Sequence, residues 1–405
     1  MALLITGARL IDGTGAAPLH PGAVLIEGDR IAAAGSRIDP PAGTERLDLP
    51  GASLLPGLID MHVHLADAGL PDATVQDRDP PVLRAFRLAK HARRTLAAGV
   101  TTVRDVGGRD HLEFDVRRAA GDGLLRTPRL VLAGKIVSRP TPGASSWPGM
   151  YREASGVAGL VEALREQLEA GADVIKLMAT GAVLAPGSEH PGIAQLDADE
   201  LRALVDAAHG AGRRVAAHAH GIEGIRRCVT AGVDTIEHGT HLHEDPSVAA
   251  EMAARGIALV PTLKALRYIA DPPARGVPPE MVAKARERLA DRDASFRRAL
   301  EAGVPIAMGT DAATPFNRHG ENAEELELMV GLGMSPLAAI VASTSAAARA
   351  LGRDDVGVLA PGRLADVVAW AGDPLADIGV LQQPPLAVVL GGAVIPGEAR
   401  VSPGR

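Results

Sequence analysis

The stretch LLPGLIDMHVHL, residues 54–65, decides the reading of the fold. It is a largely apolar run, interrupted by Pro56-Gly57 and by Asp60, with histidines at alternate positions near its end. Apolar runs of strand length suit strands buried on both faces, the condition of a parallel sheet. Seven further runs follow at 99–106, 129–137, 174–179, 214–220, 235–238, 257–263 and 306–310, with helical patterns between them. Asp197-Ala198-Asp199-Glu200 has the form of a capping box and opens a helix that ends near Gly212. Ser335-Pro336 supplies an N-cap and a proline at the first helical position. Gly99, Gly171, Gly232, Gly256 and Gly303 read as helix C-caps, and Ala-Gly-Val or Ala-Gly-Ala recurs just before a strand. Eight strand–helix units predict an α/β fold, a (β/α)8 TIM barrel over residues 56–355. No GxGxxG follows an early strand, which argues against a doubly wound dinucleotide fold.

The two ends of the chain look alike. Candidate strands at 3–5, 8–11, 23–27 and 30–34 are punctuated by glycines, as are 366–370, 387–390 and 393–395. Neither end has enough residues for a core of its own. The expectation is one small composite β-sandwich domain from 1–55 and 356–405, antiparallel, with the barrel inserted.

Composition narrows the function. Apolar residues at 46% and charged residues at 22% exclude a disordered chain. A net charge of −7 without a basic block excludes nucleic acid and anionic membranes as expected partners. Aromatic residues make up 2%, too few for a base-stacking surface. The single cysteine, Cys228, rules out an intramolecular disulfide framework and reads as a small core residue. The amino-terminal MALLITGARLIDG reads as strand, not as a secretion signal, and no apolar run is long enough to span a membrane. A soluble cytoplasmic protein is the expectation.

The informative polar residues fall at strand ends. In a parallel barrel, ligands bind at the carboxyl ends of the strands. His62 and His64 point to one side by the period of two. Lys176 lies inside the apolar run 174–179, where a lone ammonium is costly unless neutralised, paired or modified. His218 and His220, His238, and Asp311 close three more runs. Imidazoles and a carboxylate converging on one mouth form a metal-ligand set. Spacing alone does not choose between His218 and His220 as ligand.

The motifs LPGLIDMHVH (55–64), GVTTVRD (99–105), Lys176, His218, IEHG (236–239), GTD (309–311) and GVLAPGRLAD (357–366) make the chain resemble the amidohydrolase superfamily over almost its whole length. Lys176 and HGENAEEL (319–326) are similar to its branch of metal-dependent dipeptidases, which includes Xaa-Pro dipeptidases, related carboxypeptidases and ochratoxinase. The resemblance implies a binuclear site. His62, His64 and Asp311 would hold the more buried divalent ion, His218 and His238 the second, with Zn2+ the expected metal. Lys176, carboxylated by CO2, would bridge both. The implied reaction is hydrolysis of an amide or peptide bond in a dipeptide or N-acyl amino acid. A metal-bridging hydroxide attacks, with Asp311 as general base and then acid. His220 would sit at the scissile carbonyl, in a catalytic and substrate-binding place.

The expected partner is a small-molecule amide, and assembly of copies into a homo-oligomer stays open. Loops 139–154 and 180–195 are expected to set specificity, with Trp147 and Tyr151 lining the substrate pocket. His319 is kept as a further substrate contact, whereas His190, His241 and His243 read as solvated loop residues and His91 and His209 as structural. Arg104, Arg109, Arg139 and Arg152 are candidates for a substrate carboxylate, and the Pro-rich 267–280 for a lid. Two other readings use the same residues: a hydrolase of a cyclic amide, lactone or other ester, and a metal-binding barrel without turnover.

Overall fold

The computed structural model describes residues 2–187 and 189–396. The opening run divides at Gly57. Ala52–Pro56 joins one sheet and Leu58–Val63 another. The first sheet has eight strands, and its path is Ala393–Ile395, Ala387–Leu390, Val367–Ala371, Ala52–Pro56, Ala2–Leu10, Leu19–Glu27 and Arg30–Gly35. Glu45–Asp48 also pairs with Ala2–Leu10. Both ends of the chain therefore build one sheet, joined where Val367–Ala371 runs antiparallel to Ala52–Pro56.

The sheet differs from expectation in two ways. It is mixed, because Ala2–Leu10 pairs in parallel with both Glu45–Asp48 and Ala52–Pro56. The two expected opening strands are one strand, whose register shifts between Ile5 and Ala8 around Gly7, at φ +80°. Glu45–Asp48 escaped the sequence reading because three of its four residues are exposed and charged.

The middle of the chain forms parallel sheets. One has three strands, Leu58–Val63, Val100–Asp105 and Arg129–Leu132. The other runs Tyr151–Glu153, Ile136–Ser138, Val174–Met178, Arg214–Ala219, Thr235–His238 and Ala258–Val260. All five residues of Val174–Met178 are buried, which is why the run is apolar apart from Lys176. Gly134, at φ +71°, splits the run 129–137 into two strands.

Backbone hydrogen bonds link the sheets. The Asp173 amide donates to the Leu132 carbonyl at 2.8 Å. The Leu259 amide donates to Pro305, and Met61 to Met308, each at 2.8 Å. The run 306–310 lies between those two strands yet forms only isolated bridges, at Ile306 and, just beyond it, Ala312. Pro305 has no N–H to give a ladder, and Asp311 and Ala313 sit at positive φ. Gly309 is needed at its position, because a Cβ there would lie 2.3 Å from Val260 Cγ1 and 2.9 Å from His62 Cβ.

Helix ends follow the expected signals. Asp197 and Glu200 form the reciprocal capping box of helix Ala198–Gly210. The Ser335 side chain accepts the Ala338 amide of helix Pro336–Ala342. Gly171, Gly232, Gly256 and Gly303 are left-handed C-caps. Among the described residues no helix is long and apolar enough to cross a membrane.

Candidate metal centre

Six residues from different elements meet at the end of the parallel strands. His62 is the penultimate residue of Leu58–Val63 and His64 directly follows that strand, while Lys176, His218 and His238 lie on three neighbouring strands of the larger sheet. Parallel register places Met178 beside His218 and Ala219 beside His238. Asp311 is brought in by its amide, which donates to the His62 carbonyl at 2.7 Å. Imidazole centroids lie 4.5 Å apart for His218 and His238, 5.1 Å for His62 and His238, and 5.4 Å for His62 and His64. Asp311 Oδ1 is 3.3 Å from His64 Nε2 and 3.5 Å from His62 Nε2.

The outer nitrogen of each ring is tied down, which fixes tautomer and orientation. His62 Nδ1 donates to Glu237 Oε2 at 2.8 Å, and His64 Nδ1 to the Gly107 carbonyl at 3.0 Å. His238 Nδ1 and His220 Nδ1 hydrogen-bond with the hydroxyls of Thr262 and Thr240, both at 2.7 Å. His218 is tied the other way, through Nε2 to the Gly181 carbonyl at 3.1 Å, which leaves Nδ1 for the centre.

Burial favours the neutral form of four of the rings, whereas for His64 the hydrogen bond and charge of Asp311 outweigh burial and raise it above the ordinary imidazole value. Burial lowers His62 to about 4, helped by Lys176, and His218 to about 3. His220 and His238 fall well below the usual imidazole range for the same cause. Burial opposes ionisation of Asp311, but His62, His64 and Lys176 overcome it and hold the carboxyl at about 2. Burial also lowers the Lys176 ammonium to about 8. Its Nζ is buried and has no hydrogen-bond partner among the described residues.

This donor set fits divalent cations. Neutral imidazoles and an ionised carboxylate are the forms that ligate, and an orphaned buried amine is a polar group awaiting a partner. Ligand atoms of His62, His238 and Asp311 lie within 4.8 Å of one another, as do those of His218, His220 and His238. The centre can therefore hold metal. The choice between His218 and His220 stays open on distance alone.

The sequence reading missed the residues that brace this centre. The Asp60 carboxylate accepts the amides of His62 and Thr310, the Thr310 hydroxyl and Asn322 Nδ2, locking two ligand segments together. Asn317 Nδ2 donates to the carbonyls of Thr310 and Asp311. Arg104 Nη2 donates to Glu237 Oε1 at 2.7 Å and Nε to the Met61 carbonyl at 2.6 Å. Glu237 is thereby held far below the carboxylate range, with burial opposing and Arg104 and His62 prevailing. A signal existed: Glu237 is an acid inside an apolar strand, the argument that singled out Lys176. His238, Thr262 and Asp311 all adopt positive φ, a strain that persists where surrounding structure imposes it.

A cavity of about 400 Å³ opens over the centre. Its wall includes Trp147, Met150, Tyr151, Leu184, Leu266 and Ile269, so both aromatic residues named from the sequence face it. His220 lines it as well. The segment 267–280 contributes Ile269, Gly276 and Pro278, partly as the end of helix Leu263–Ala270.

Other expectations are corrected. His319 does not line the cavity. It is buried with Nε2 2.9 Å from the Asp67 carbonyl and its ring stacked on His91 at 4.7 Å. None of the four arginines named from the sequence lines it either. Arg104 braces Glu237, Arg109 pairs with Asp67 and Asp77, Arg139 with Asp197 and Glu200, and Arg152 with Glu166. A positively charged wall is thus not where the sequence suggested.

The comparisons decide the family. The amidohydrolase family model matches residues 53–395. The chain belongs to the amidohydrolase family. It is 32% identical to ochratoxinase from Aspergillus niger over 417 residues, covering 94% of this chain and 83% of that one. The crystal structure of a Xaa-Pro dipeptidase with methionine bound in its active site superposes with a TM-score of 0.90 at 33% identity, covering 98% and 100% of the two chains. A prolidase complexed with N-methylphosphonate-L-proline gives 0.88 at 31%, covering 98% and 99%. This amidohydrolase therefore falls in the Xaa-Pro dipeptidase and ochratoxinase-like branch, and is a hydrolase acting on amide bonds.

Beside Gly107, whose carbonyl holds His64, a buried carboxyl packs against the next glycine. Glu113 packs against Gly108, where a Cβ would come within 2.0 Å of its carboxyl carbon. Neither of its oxygens has a partner among the described residues. Burial, and then the Asp105 carboxylate, push Glu113 far above its ordinary 4.5. The native state therefore keeps this proton at pH values where the unfolded chain has lost it. Stability falls as pH rises through that window, because the native state binds more protons than the unfolded one. Glu113→Gln is expected to flatten the loss of thermal stability above pH 5 and to recover about 1–3 kcal/mol at pH 8. Unfolding followed by circular dichroism across pH 5–9 reads this, and an unchanged slope would assign the dependence to other groups.

Proposed function

We propose that this amidohydrolase cleaves the amide bond of a dipeptide or N-acyl amino acid with a pair of divalent ions, Zn2+ being the favoured metal. His62, His64 and Asp311 would hold one ion, His218 and His238 the other, and Lys176 would bridge them as a carbamate. The observation that carries the reading is the buried Lys176 Nζ, without a hydrogen-bond partner among the described residues, in a cluster of imidazoles and one ionised carboxylate. Its lowered ammonium value eases the neutral amine's addition to CO2, in which nitrogen bonds to carbon and loses a proton. Bound there, the two ions supply a water acidified enough to attack near neutral pH and a polarised scissile carbonyl.

The chain's own groups do the rest. Asp311, held ionised, accepts the proton of the attacking water and returns it to the leaving amine. With Nδ1 engaged by Thr240, His220 offers Nε2 to the oxyanion of the tetrahedral intermediate. Trp147 and Tyr151 exclude water and hold the apolar part of the substrate. We read residues 56–355 as a closed (β/α)8 barrel with 306–310 as its eighth strand, supported by the Leu259–Pro305 and Met61–Met308 hydrogen bonds. Residues 1–55 and 356–405 are read as the composite β-domain, of which 397–405 lie outside the described residues.

One assay tests the activity. Zn-reconstituted protein is incubated with Xaa-Pro and other dipeptides, N-acyl amino acids, imidazolonepropionate and lactones, and products are identified by mass spectrometry. Cleavage confined to linear amides with a free carboxylate supports the reading. Turnover only of cyclic amides or lactones replaces it.

A further inference from the structure

Helix Pro279–Ala302 carries Lys284, Arg288 and Arg292 at four-residue intervals, so the three lie on one face. Each meets the site differently. Lys284 Nζ donates to the carbonyls of Ala185, Gly187 and Glu189 at 3.0–3.3 Å and clamps the loop after Val174–Met178. The Arg288 side chain is 5% exposed, and its Nη2 lies 2.6 Å from His190 Nε2. Its Nε is buried with no partner among the described residues. Its positive charge reaches far enough to help lower His220.

Arg292 is the member of this row that lines the cavity. Nε and Nη2 donate to Asp293 Oδ1 at 2.8 and 2.6 Å, and Nη1 donates to the Leu263 carbonyl at 2.6 Å. A guanidinium has five N–H donors. Three are engaged, so one remains on each terminal nitrogen, the pair that can grip a carboxylate at two points. Asp293 is 29% exposed against 10% for Arg292, so solvent screens the compensating charge more than the guanidinium. Leu263 directly follows Thr262, the residue that orients His238. The free donors of Arg292 therefore lie next to the segment that shapes the metal centre. Among the described residues lining the cavity, Lys176 is the only other lysine or arginine, and the acids there are Asp67, Asp72 and Asp311.

We propose that Arg292 is the anion anchor of the cavity. It receives the carboxylate of the substrate's amino-acid half and makes the enzyme select amides that carry that charge over their neutral carboxamides. The assignment rests on the amide-hydrolysis reading and adds the group that recognises the substrate. Arg288 adds a second positive charge one helical turn away on the same face.

The test uses the full-length, metal-reconstituted protein and the best dipeptide or N-acyl amino acid of the panel, paired with its C-terminal carboxamide. The wild type is expected to prefer the carboxylate by KM. Arg292→Gln is expected to raise KM for the carboxylate roughly 10- to 100-fold, leaving kcat within a few-fold and the carboxamide KM unchanged. Arg292→Lys recovers part of the loss, since a point charge lacks the fork. Calorimetric binding of the free amino acid product and of its amide to the wild type reads the same contrast without turnover or substitution. An equal effect of Arg292→Gln on both substrates would mean that Arg292 only clamps Leu263, and would overturn the proposal. So would a wild type indifferent to the carboxylate in both KM and product binding. A metal-loaded wild type that cleaves no amide of the panel overturns the activity itself, a result distinct from either.

Discussion

Asp311→Asn is expected to lower kcat by roughly a thousandfold while leaving much of the bound metal in place. The substitution keeps the shape of the side chain. The main chain that positions it is held independently, by the Asp311 amide on the His62 carbonyl and by Asn317 on the carbonyls of residues 310 and 311. What is lost is the ability to accept a proton. In the native protein His62, His64 and Lys176 keep this carboxyl ionised at about 2, against the effect of burial, so it is in the proton-accepting form at every working pH. The measurement pairs the hydrolysis rate with metal content by plasma mass spectrometry. A variant within tenfold of wild type, with metal retained, would remove Asp311 from the proton transfer. A protein whose natural role is metal binding alone has no wild-type rate to lose.

Lys176→Ala is expected to lose metal and activity together, by ~100-fold or more, since removing even an outer partner of a metal site costs up to that much. Short carboxylic acids added to the buffer are expected to restore part of both, because they can place an oxygen anion in the space the carbamate would fill. Unchanged metal content in this variant would end the bridging role. Lys176→Met makes the complementary case. It removes a buried amine that has no partner among the described residues, so the metal-free protein is expected to gain about 1–3 kcal/mol while activity disappears. A loss of metal-free stability would show instead that the amine is well accommodated.

The ligand-type residues were legible because they break a pattern. A lysine at 176, histidines at 62, 64, 218 and 238 and an acid at 311 stand out against buried apolar strands, where each polar group needs a reason. Helix ends at Asp197, Ser335, Gly171 and Gly303 were legible because capping chemistry is local. What stayed hidden depends on contacts between distant segments. Thr240 and Thr262 look like ordinary loop residues until the fold sets their hydroxyls on His220 and His238. His319 sits in a motif near the ligands in sequence, yet its ring packs on His91. The four arginines named from the sequence are all claimed by acids from other elements, which sequence alone does not show. Arg292 lies inside a long charged helix, where alternating signs look like a solvated face in sequence alone.

The sheet built from both chain ends has a consequence in time. Ala52–Pro56, wholly buried in the finished protein, pairs along its length with Val367–Ala371. The ribosome delivers that partner roughly 300 residues later, a wait of about 15–60 s at ordinary elongation rates. Throughout synthesis of the catalytic portion, one margin of the early sheet stays open, with an apolar strand at its edge. An unpaired strand of this kind is a template for other nascent chains. Only Gly57 separates it from the strand that delivers His62. The later segment Val367–Ala371 thus covers the edge of the sheet from which the strand carrying His62 departs.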